Sequence, residues 1–463
     1  MGQGLTDTKG QRMHILIIGT GYVGLTTGVV FAYIGHEVTC LDTNREKIAQ
    51  LQAGKVPFYE PHLDEMLAQV GGRMRFVSSM EEADLAHTDV VFIAVGTPSL
   101  PDGNADLTYV RQAAESIAEA MDDHFLVIVN KSTVPIGSGN WVGTLIKDAY
   151  EKRNGKKAEG KFAVVSNPEF LRQGAALHDS LYPDRVVIGS KNTHGVETLR
   201  ELFTPILQQS FTPPPGLPRP EGLHEVPLLV CDLTSAEVIK YAANAFLALK
   251  ISYINEIAHL AQKVGADATL IAKGIGLDSR IGERFLNPGI GWGGSCFGKD
   301  TAALVATAKE YNLAMPIVQA ARDVNYHQRT WVVDALQDAL KILKGKRVAL
   351  LGFSFKPNTD DLRDAPSLDI ARLLVQRGAS VRAHDPVALD NARRLYPDLG
   401  VRYCTQVEEA LEDADAIVLV TEWPLYRELD WEHIKPVPLV DGRNFLDRER
   451  LSALGFKVIG VGR

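Results

Sequence analysis

The segment Gly291–Asp300 contains a cysteine that could do covalent chemistry. Glycines on both sides of Cys296 leave little side-chain bulk around its sulfur, so that a substrate could approach it closely. The run Thr301–Ala306 predicts a helix, which places the thiol near a helix N-terminus, and this position, with Lys299 nearby, favours the thiolate. The alternative is an inert glycine-rich loop in which the cysteine is buried and Asp300 only caps the helix.

A lysine and an asparagine form a second candidate pair. Lys240 and Asn244 are four residues apart in a predicted helix that runs from Leu233 towards Ala261, so they share one helix face. Alanines surround them, and an unpaired lysine would be costly to bury there. The alternative is a lysine whose stem covers apolar surface while its ammonium stays in water.

The first third of the chain carries the pattern of a dinucleotide-binding fold. An apolar run, 13–18, leads into the sequence Gly19-Thr20-Gly21-Tyr22-Val23-Gly24, a predicted helix and a second strand that ends at Asp42. A glycine motif between a strand and a helix predicts dinucleotide binding, because the pyrophosphate of a dinucleotide binds at the helix N-terminus. Asp42 would bind the ribose hydroxyls and repel a ribose phosphate, which favours NAD over NADP.

Three polar residues stand at the ends of later strands of the same predicted sheet. Thr97, Thr133 and Glu169 follow apolar runs in order along the chain. Ligands of a doubly wound sheet bind beyond the carboxyl ends of its strands, so these residues are candidates for the site. Thr133 could instead be a plain helix cap, and Glu169 a plain solvent-exposed residue.

Composition narrows the classes of function. The chain has 463 residues and a net charge of −8, without a basic block, which argues against nucleic acid or an anionic membrane as partner. No apolar run approaches a membrane span, and the first residues lack the apolar stretch of a signal peptide. Its four cysteines are widely spaced, which argues against a metal site and disulfides and fits a reducing cytoplasm.

The sequence predicts a flexible tail, 1–12, followed by three folded regions. The first is an NAD-binding Rossmann domain, 13–208. The others are a central helical domain, 209–343, with the cysteine loop and a long helix 316–343, and a second Rossmann-like domain, 344–463. The expected fold class is therefore α/β, with two doubly wound sheets joined by a helical region. The second sheet lacks the glycine motif, and Lys356 and Arg443 are its available cations. The proline-rich stretch 208–227 is interpreted as an extended surface excursion rather than a packed element.

Taken together, these motifs resemble the nucleotide-sugar dehydrogenases, the UDP-glucose/GDP-mannose dehydrogenase family. The resemblance covers nearly the whole chain and rests on the glycine motif, Ser132-Thr133-Val134-Pro135, Asn167-Pro168-Glu169-Phe170-Leu171, Lys240-Tyr241-Ala242-Ala243-Asn244 and Gly293-Gly294-Ser295-Cys296 with Lys299-Asp300. Within the family, Tyr182-Pro183-Asp184-Arg185, Thr421-Glu422-Trp423 and Asp441-Gly442-Arg443-Asn444 resemble the UDP-glucose branch best.

The resemblance implies a four-electron oxidation of UDP-glucose to UDP-glucuronate, with two NAD reduced per sugar. It also implies an enzyme that forms a homodimer and uses no metal. Cys296 would form a thiohemiacetal and then a thioester. Lys240 and Asn244 would stabilise the oxyanion, while Asp300, Thr133 and Glu169 would orient water or act as bases. The implied cofactor contacts are Gly19, Gly21, Tyr22, Val23, Gly24, Asp42, Lys47, Thr97, Thr133, Lys299 and Arg363. The implied sugar-nucleotide contacts are Glu169, Phe170, Leu171, Arg172, Lys240, Asn244, Arg280, Phe285, Leu286, Asn287, Pro288, Gly289, Gly293, Lys356 and Arg443, with Arg280 reaching a partner subunit.

The chain departs from the family at two places, position 173 and the proline-rich stretch 208–227, which is longer than usual and has no assigned function. Two alternatives for the function also stay open. Gln173 stands where many relatives carry a second glutamate, so that any role of that acid as a base would fall on Asp300 or Glu169. The same chemistry could act on another nucleotide sugar, such as GDP-mannose, UDP-galactose or a UDP-N-acetylated hexose. A non-catalytic homologue is disfavoured because the nucleophile, the lysine and the glycine motif are all present.

Overall fold

The computed structural model describes residues 12–100 and 103–463, so the predicted tail up to residue 11 lies outside the described residues. The chain forms two compact units, one ending at Ala242 and the other beginning at Ala243. None of the helices in the described ranges is long and apolar enough to cross a membrane.

The first unit contains an eight-stranded sheet with the order β3-β2-β1-β4-β5-β6-β7-β8, in which only the β6–β7 pair of the described strands is antiparallel. Its first six strands have the 3-2-1-4-5-6 order of a dinucleotide-binding fold. The strands are β1 (His14–Ile18), β2 (Glu37–Leu41), β3 (Met74–Val77), β4 (Val90–Ile93), β5 (Leu126–Asn130), β6 (Phe162–Ser166), β7 (Val186–Gly189) and β8 (Leu228–Cys231).

Helices cover both faces of this sheet. They are α1 (Tyr22–Tyr33), α2 (Arg45–Gln52), α3 (Leu63–Val70), α4 (Thr108–Ala120), α5 (Ser138–Asn154), α6 (Ala176–Leu181) and α7 (Thr193–Leu207). Alternate residues of β1 enter different cores, Ile15 and Ile17 on one face and Leu16 and Ile18 on the other. A strand buried on both faces has to be apolar throughout, which explains the unbroken apolar runs in the sequence.

The proline-rich stretch 208–227 is extended and mostly exposed, as interpreted from the sequence, but it is anchored in the core, so the expectation that it is not packed is wrong. Phe211, Leu217 and Val226 are buried in the same core as α1 and α7. The hydroxyl of Tyr182 donates to the Leu217 carbonyl oxygen at 2.8 Å, which ties the segment down further. Prolines rule out a helix or a central strand, but they do not prevent the apolar residues between them from entering a core.

Helix α8 (Leu233–Val264) has 32 residues and contains the boundary between the units. The second unit continues with α9 (Ala268–Gly276), α10 (Phe297–Glu310) and α11 (Pro316–Leu340). Helix α11 begins at the proline that the sequence suggested, because proline is well suited to the first turn of a helix.

The second unit ends in a six-stranded, fully parallel sheet with the order β11-β10-β9-β12-β13-β14. Its elements are β9 (Arg347–Leu351), α12 (Pro366–Gln376), β10 (Ser380–His384), α13 (Leu389–Leu395), β11 (Val401–Tyr403), α14 (Val407–Leu411), β12 (Ala416–Leu419), β13 (Pro438–Asp441), α15 (Arg448–Ala453) and β14 (Lys457–Gly460). This is again the 3-2-1-4-5-6 order. The predicted fold class, two Rossmann-like sheets with a helical region between them in the chain, is confirmed.

Candidate active site

The predicted strand, glycine turn and helix are present at the start of the first unit. Gly19 follows β1 with a φ of +102°, a conformation that L side chains rarely adopt. A Cβ on Gly24 would lie 1.9 Å from the Gly19 carbonyl oxygen, so only glycine fits there. The first and third glycines of the motif are therefore required by the turn itself.

The middle glycine leaves room for a ligand. Among the described residues, a Cβ on Gly21 would meet no atom within 4 Å, and no side-chain hydrogen bond caps the N-terminus of α1, which starts at Tyr22. Open space beside this N-terminus of a 12-residue helix fits a pyrophosphate, because the helix dipole and the first-turn N–H groups favour an anion there. The residues present thus fit NAD at this turn.

Asp42 lies beside the same turn. Its Oδ2 accepts hydrogen bonds from Thr20 N at 3.0 Å, Thr20 Oγ1 at 2.7 Å and Lys47 Nζ at 3.0 Å. Burial alone would raise the pKa of Asp42, but the hydrogen bonds from Asn44, Thr20 and Lys47 outweigh burial and lower the pKa. Lys47 therefore holds the carboxylate that was predicted to bind the ribose.

The two threonines at strand ends are brought together. Thr97 Oγ1 donates to the Thr133 carbonyl oxygen at 2.8 Å, which joins the loops after β4 and β5. Thr97 is buried, and Ser132 Oγ also donates back to the Val95 carbonyl oxygen at 2.7 Å. The carboxyl ends of these strands thus form one connected edge, as the sequence predicted.

Glu169 and Lys240 form a buried ion pair. Lys240 Nζ lies 2.9 Å from Glu169 Oε1, and the two side chains are only 5% and 7% exposed. A solvent-exposed glutamate and a lysine that extends to water are both excluded by this burial. Removing either partner would leave the other charge buried without this pairing.

The segment after Glu169 is fixed by several contacts. Leu171 N donates to Glu169 Oε2 at 3.0 Å. The Arg185 guanidinium lies 3.7 Å and the Lys240 ammonium 5.5 Å from the centre of the Phe170 ring. Arg172, a predicted substrate contact, is bound by its guanidinium to Asp179 at 2.7 Å.

The loop after Gln173 is held by an acid that the sequence did not single out. The carboxylate of Glu60 accepts hydrogen bonds from Gly174 N and Ala176 N, both at 2.7 Å. Glu60 lies in the loop before α3, more than a hundred residues earlier in the chain. No local spacing in the sequence could have indicated this contact.

A second buried lysine was also missed. Lys131, the first residue after β5, donates from Nζ to Asn167 Oδ1 at 2.8 Å and is buried. The available signal was its position two residues before Thr133, at a strand end where candidate residues had already been found.

In the second unit, Cys296 is the N-cap residue of α10. Its side chain is half-buried, and its Sγ lies 3.6 Å from Ser295 Oγ. The helix starts four residues earlier than the predicted run of alanines, so the thiol lies directly at the helix N-terminus. The first-turn N–H groups and the helix dipole favour a thiolate at this position.

Asp300 is buried one helical turn after the cysteine. Its Oδ1 accepts from Lys299 Nζ at 2.6 Å, and its Oδ2 accepts from Asn244 Nδ2 at 2.6 Å. Its backbone N–H donates to the Cys296 carbonyl oxygen at 2.8 Å. Asp300 therefore lies in the first turn of α10 rather than at the cap, and its carboxylate joins two other predicted site residues, Lys299 and Asn244.

Glycines allow the cysteine loop to pack against the loop before α12. Gly294 has a φ of +85°, and a Cβ there would lie 2.7 Å from the Phe355 ring. A Cβ on Gly293 would lie 2.3 Å from the Asp364 carbonyl oxygen, and Gly294 N donates to the Arg363 carbonyl oxygen at 2.9 Å. These glycines are required by close packing within the second unit.

Helix α11 holds the start of the same loop. Asn325 exchanges hydrogen bonds with the backbone of Trp292, accepting from its N–H at 2.7 Å and donating to its carbonyl oxygen at 3.0 Å. Arg329 donates to the Trp292 carbonyl oxygen and pairs with Asp364 at 2.8 Å. The cysteine loop is thus fixed at both ends by buried polar contacts.

The predicted sugar-nucleotide segment, Phe285–Gly289, lies directly before the cysteine loop. Phe285 has a φ of +66°, Leu286 and Pro288 are buried, and Asn287 is exposed. Gly289 N donates to Asn255 Oδ1 at 2.8 Å. Arg443 donates to the Gly291 carbonyl oxygen at 2.9 Å and so lies next to this segment.

The remaining predicted cations have local partners. Arg363 is paired with Asp361 at 2.6 Å, and the Lys356 ammonium lies 5.4 Å from the centre of the Phe355 ring. Arg280 is 86% exposed and paired with Asp278. The binding roles of these residues stay predictions. In the described ranges, no group of three His, Cys, Asp or Glu side chains could hold a metal ion.

Three family models match the chain in sequence. They are the UDP-glucose/GDP-mannose dehydrogenase family NAD binding domain over residues 13–207, central domain over 234–327 and UDP binding domain over 349–448. The chain is also 42% identical over 456 residues to UDP-glucose 6-dehydrogenase TuaD of Bacillus subtilis (strain 168), covering 97% of this chain and 93% of that protein.

Two further relatives support the same family. UDP-glucose 6-dehydrogenase of Rhizobium meliloti (strain 1021) is 42% identical over 459 residues, covering 97% of this chain and all of that one. A solved UDP-glucose dehydrogenase structure from the archaeon Pyrobaculum islandicum is 37% identical, with a TM-score of 0.86 and 99% of both chains covered. The chain therefore belongs to the UDP-glucose/GDP-mannose dehydrogenase family.

Proposed function

We propose that this protein is an NAD-dependent UDP-glucose 6-dehydrogenase that oxidises the sugar's C6 alcohol to a carboxylate. The observation that carries the proposal is Cys296 at the N-terminus of α10, one turn before the buried Asp300–Asn244 pair. A simple alcohol dehydrogenase needs no such thiol. A second oxidation, from aldehyde to acid, needs a nucleophile that first adds to the carbonyl.

In the proposed reaction the alcohol first loses a hydride and a proton to become the aldehyde. NAD, when bound, supplies the hydride acceptor, one molecule for each of the two oxidations. The Cys296 thiolate then adds to the aldehyde carbon, which gives a thiohemiacetal. Loss of the second hydride from that carbon gives a thioester, and water cleaves the thioester to release the carboxylate and restore the thiol.

The polar side chains receive the following roles. Lys240 and Asn244, four residues apart on α8, donate to the oxygen that becomes negative in the tetrahedral species. Asp300 fixes Asn244 through the 2.6 Å hydrogen bond, and Glu169 fixes Lys240 through the 2.9 Å ion pair. Thr133 and Glu169 orient the hydrolytic water.

The proposed binding residues form two sets, one for each ligand. The turn after β1, Asp42 and Lys47 bind NAD, together with Thr97, Lys299 and Arg363. The segment 285–289 with Gly293, Lys356, Arg443 and the residues 169–172 binds the sugar nucleotide. The assignment of UDP-glucose rests on the relatives named above, since sugar stereochemistry is read by only a few hydrogen bonds.

Subunit association and location complete the proposal. The protein forms a homodimer in which Arg280 reaches the partner's site, it takes no nucleic acid or membrane as partner, and it works in the cytoplasm. Large apolar side chains on α8, α9 and α11 support the dimer, because Phe246, Leu270 and Tyr326 are each more than 60% exposed. None of the four cysteines forms a disulfide within the described ranges, which supports a reducing compartment. The division 13–208, 209–343 and 344–463 is kept as the proposed domain organisation, although by packing the residues up to Ala242 belong to the first unit.

The decisive experiment is a substrate panel with NADH absorbance as readout. With UDP-glucose and excess NAD, we expect two NADH per sugar consumed and UDP-glucuronate as product. GDP-mannose and UDP-N-acetylated hexoses should react at least about a hundredfold more slowly in kcat/KM. Faster turnover of another nucleotide sugar would make that sugar the substrate and keep the chain in the same family. One NADH per sugar would contradict the covalent route.

A further inference from the structure

Lys131 is a charged residue in the interior of the first unit that the proposed mechanism does not use. It directly follows β5, and its side chain is 9% exposed. Its Nζ donates to Asn167 Oδ1 at 2.8 Å and lies 5.9 Å from the centre of the Phe203 ring on α7. Burying an ammonium here carries a desolvation cost that a neutral side chain would avoid.

Asn167 connects this lysine to the ion pair of the proposed site. Its Nδ2 donates to the Val187 carbonyl oxygen at 2.8 Å, so the amide is held between Lys131 and β7. Glu169 follows two residues later and pairs with Lys240 at 2.9 Å. The position of the Glu169 backbone thus depends on a contact that Lys131 makes.

Electrostatic interactions also link Lys131, Glu169 and Lys240. Among the described residues, the charged groups with a resolved effect on Lys131 are Glu169, from the segment after β6, and Lys240, from α8. Burial lowers the pKa of Lys131 to about 8, while the charge of Glu169 raises it and the charge of Lys240 lowers it. The other groups against its ammonium, the Asn167 amide and the Phe203 ring, are uncharged.

We propose that Lys131 is a positioning residue for the oxidation, whose ammonium, together with its hydrogen bond to Asn167, holds Glu169 in place to pair with Lys240. The inference rests on the proposed function of the Glu169–Lys240 pair. With Lys131 protonated, one carboxylate lies among two cations. With Lys131 neutral, Glu169 keeps one cation neighbour and Asn167 loses a charged donor, so the pair is held less firmly.

Two substitutions separate charge from packing. Lys131→Met keeps the length of the side chain and removes the charge, while Lys131→Arg keeps a charge that does not titrate in proteins. Lys147→Met, on the exposed face of α5 in the same unit, is the matched control. We would measure kcat and KM for UDP-glucose with saturating NAD from about pH 6 to about pH 10.

The expected pattern is specific to a charged positioning residue. Lys131→Met should lower kcat/KM by about ten- to a hundredfold at neutral pH. It should also lack the alkaline decline in activity that we expect of the wild type near pH 8. Lys131→Arg should restore most of the activity and move that decline to higher pH. The proposal is overturned if Lys131→Met retains wild-type kcat/KM, or if Lys131→Arg loses activity as Lys131→Met does with the decline unmoved.

A measurement without turnover keeps this inference separate from the proposed function. The free energies of unfolding of wild type, Lys131→Met, Glu169→Gln and the double variant form a double-mutant cycle. We expect clear non-additivity, because each single change leaves the other charge with fewer partners. Additive effects would overturn the inference even in an active enzyme. An inactive wild type with strong coupling would instead contradict only the proposed function.

Discussion

Asn244 donates from its amide nitrogen to the Asp300 carboxylate at 2.6 Å, and this contact joins α8 to the first turn of α10 within the second unit. Asp300 is 1% exposed and also accepts from Lys299 at 2.6 Å. The carboxylate therefore fixes the direction in which the Asn244 amide points. In the proposed mechanism this side chain has to donate to a developing oxyanion, so its orientation matters for rate.

The first prediction concerns this contact. Asp300→Asn keeps the volume but replaces an acceptor of two charge-assisted contacts by an amide that can also donate. We expect kcat to fall about a hundredfold or more, with little change in the Kd for NAD measured by calorimetry. Asp338→Asn, on α11, is the matched control and should behave as wild type. A normal kcat in Asp300→Asn would remove Asp300 from the mechanism.

The second prediction concerns the nucleophile. Cys296→Ala should abolish formation of UDP-glucuronate and leave NAD binding nearly intact, because no other group on α10 could form a thioester. Intact-mass spectrometry of the wild type during turnover should detect a sugar-nucleotide adduct that the variant lacks. Cys231→Ala, a half-buried cysteine of β8, serves as control for the loss of a thiol. Full activity in Cys296→Ala would exclude the covalent route.

The third prediction concerns the choice of dinucleotide. Asp42→Ser removes the carboxylate that would repel a ribose phosphate and leaves Lys47 without its 3.0 Å partner. We expect kcat/KM for NADP to rise about tenfold and that for NAD to fall, as initial rates with either cofactor would show. Asp64→Ser, on α3, is the control. An unchanged preference would mean that the NAD selectivity lies elsewhere.

The fourth prediction concerns stability. Glu237 on α8 accepts hydrogen bonds from Gly137 N at 2.6 Å and Gly139 N at 2.7 Å, at the start of α5. Glu237→Ala leaves the buried Gly139 N–H and the partly buried Gly137 N–H without that partner, so unfolding in urea should require about 2–4 kcal/mol less. Glu237→Gln retains one acceptor and should cost less than the alanine variant. Equal stability of all three proteins would show that water replaces the carboxylate without loss.

The fifth prediction follows from the pKa of Lys131, which burial lowers from 10.5 to about 8. Between these two pH values the unfolded chain binds a proton that the folded protein has released. The free energy of unfolding therefore rises with pH over this window, by about 3 kcal/mol in total. Below pH 8 the full cost of burying the charged Lys131 ammonium lowers the stability of the folded protein. The difference in unfolding free energy between wild type and Lys131→Met should show this rise. A difference that stays flat from pH 8 to pH 10.5 would contradict the lowered pKa.

The sequence by itself determined the fold class and most elements, because buried parallel strands must be apolar throughout and tight turns must use glycine. The apolar run 13–18 corresponds to β1, and the second strand, predicted to end at Asp42, corresponds to β2, which ends at Leu41. The glycine motif, Asp42 and Cys296 were also found from sequence, since each lies at a fixed offset from the end of a strand or the start of a helix.

Only the tertiary structure decided which charges are paired. Lys240 meets Glu169 across 71 residues, and Glu60 meets Gly174 across 114, and no periodicity along the chain records such distances. For the same reason, neither the burial of Phe211 in the proline-rich stretch nor the role of Lys131 beside Asn167 was predicted from the sequence. A side chain's protonation and hydrogen bonds depend on what lies around it in space, and folding alone brings those groups together.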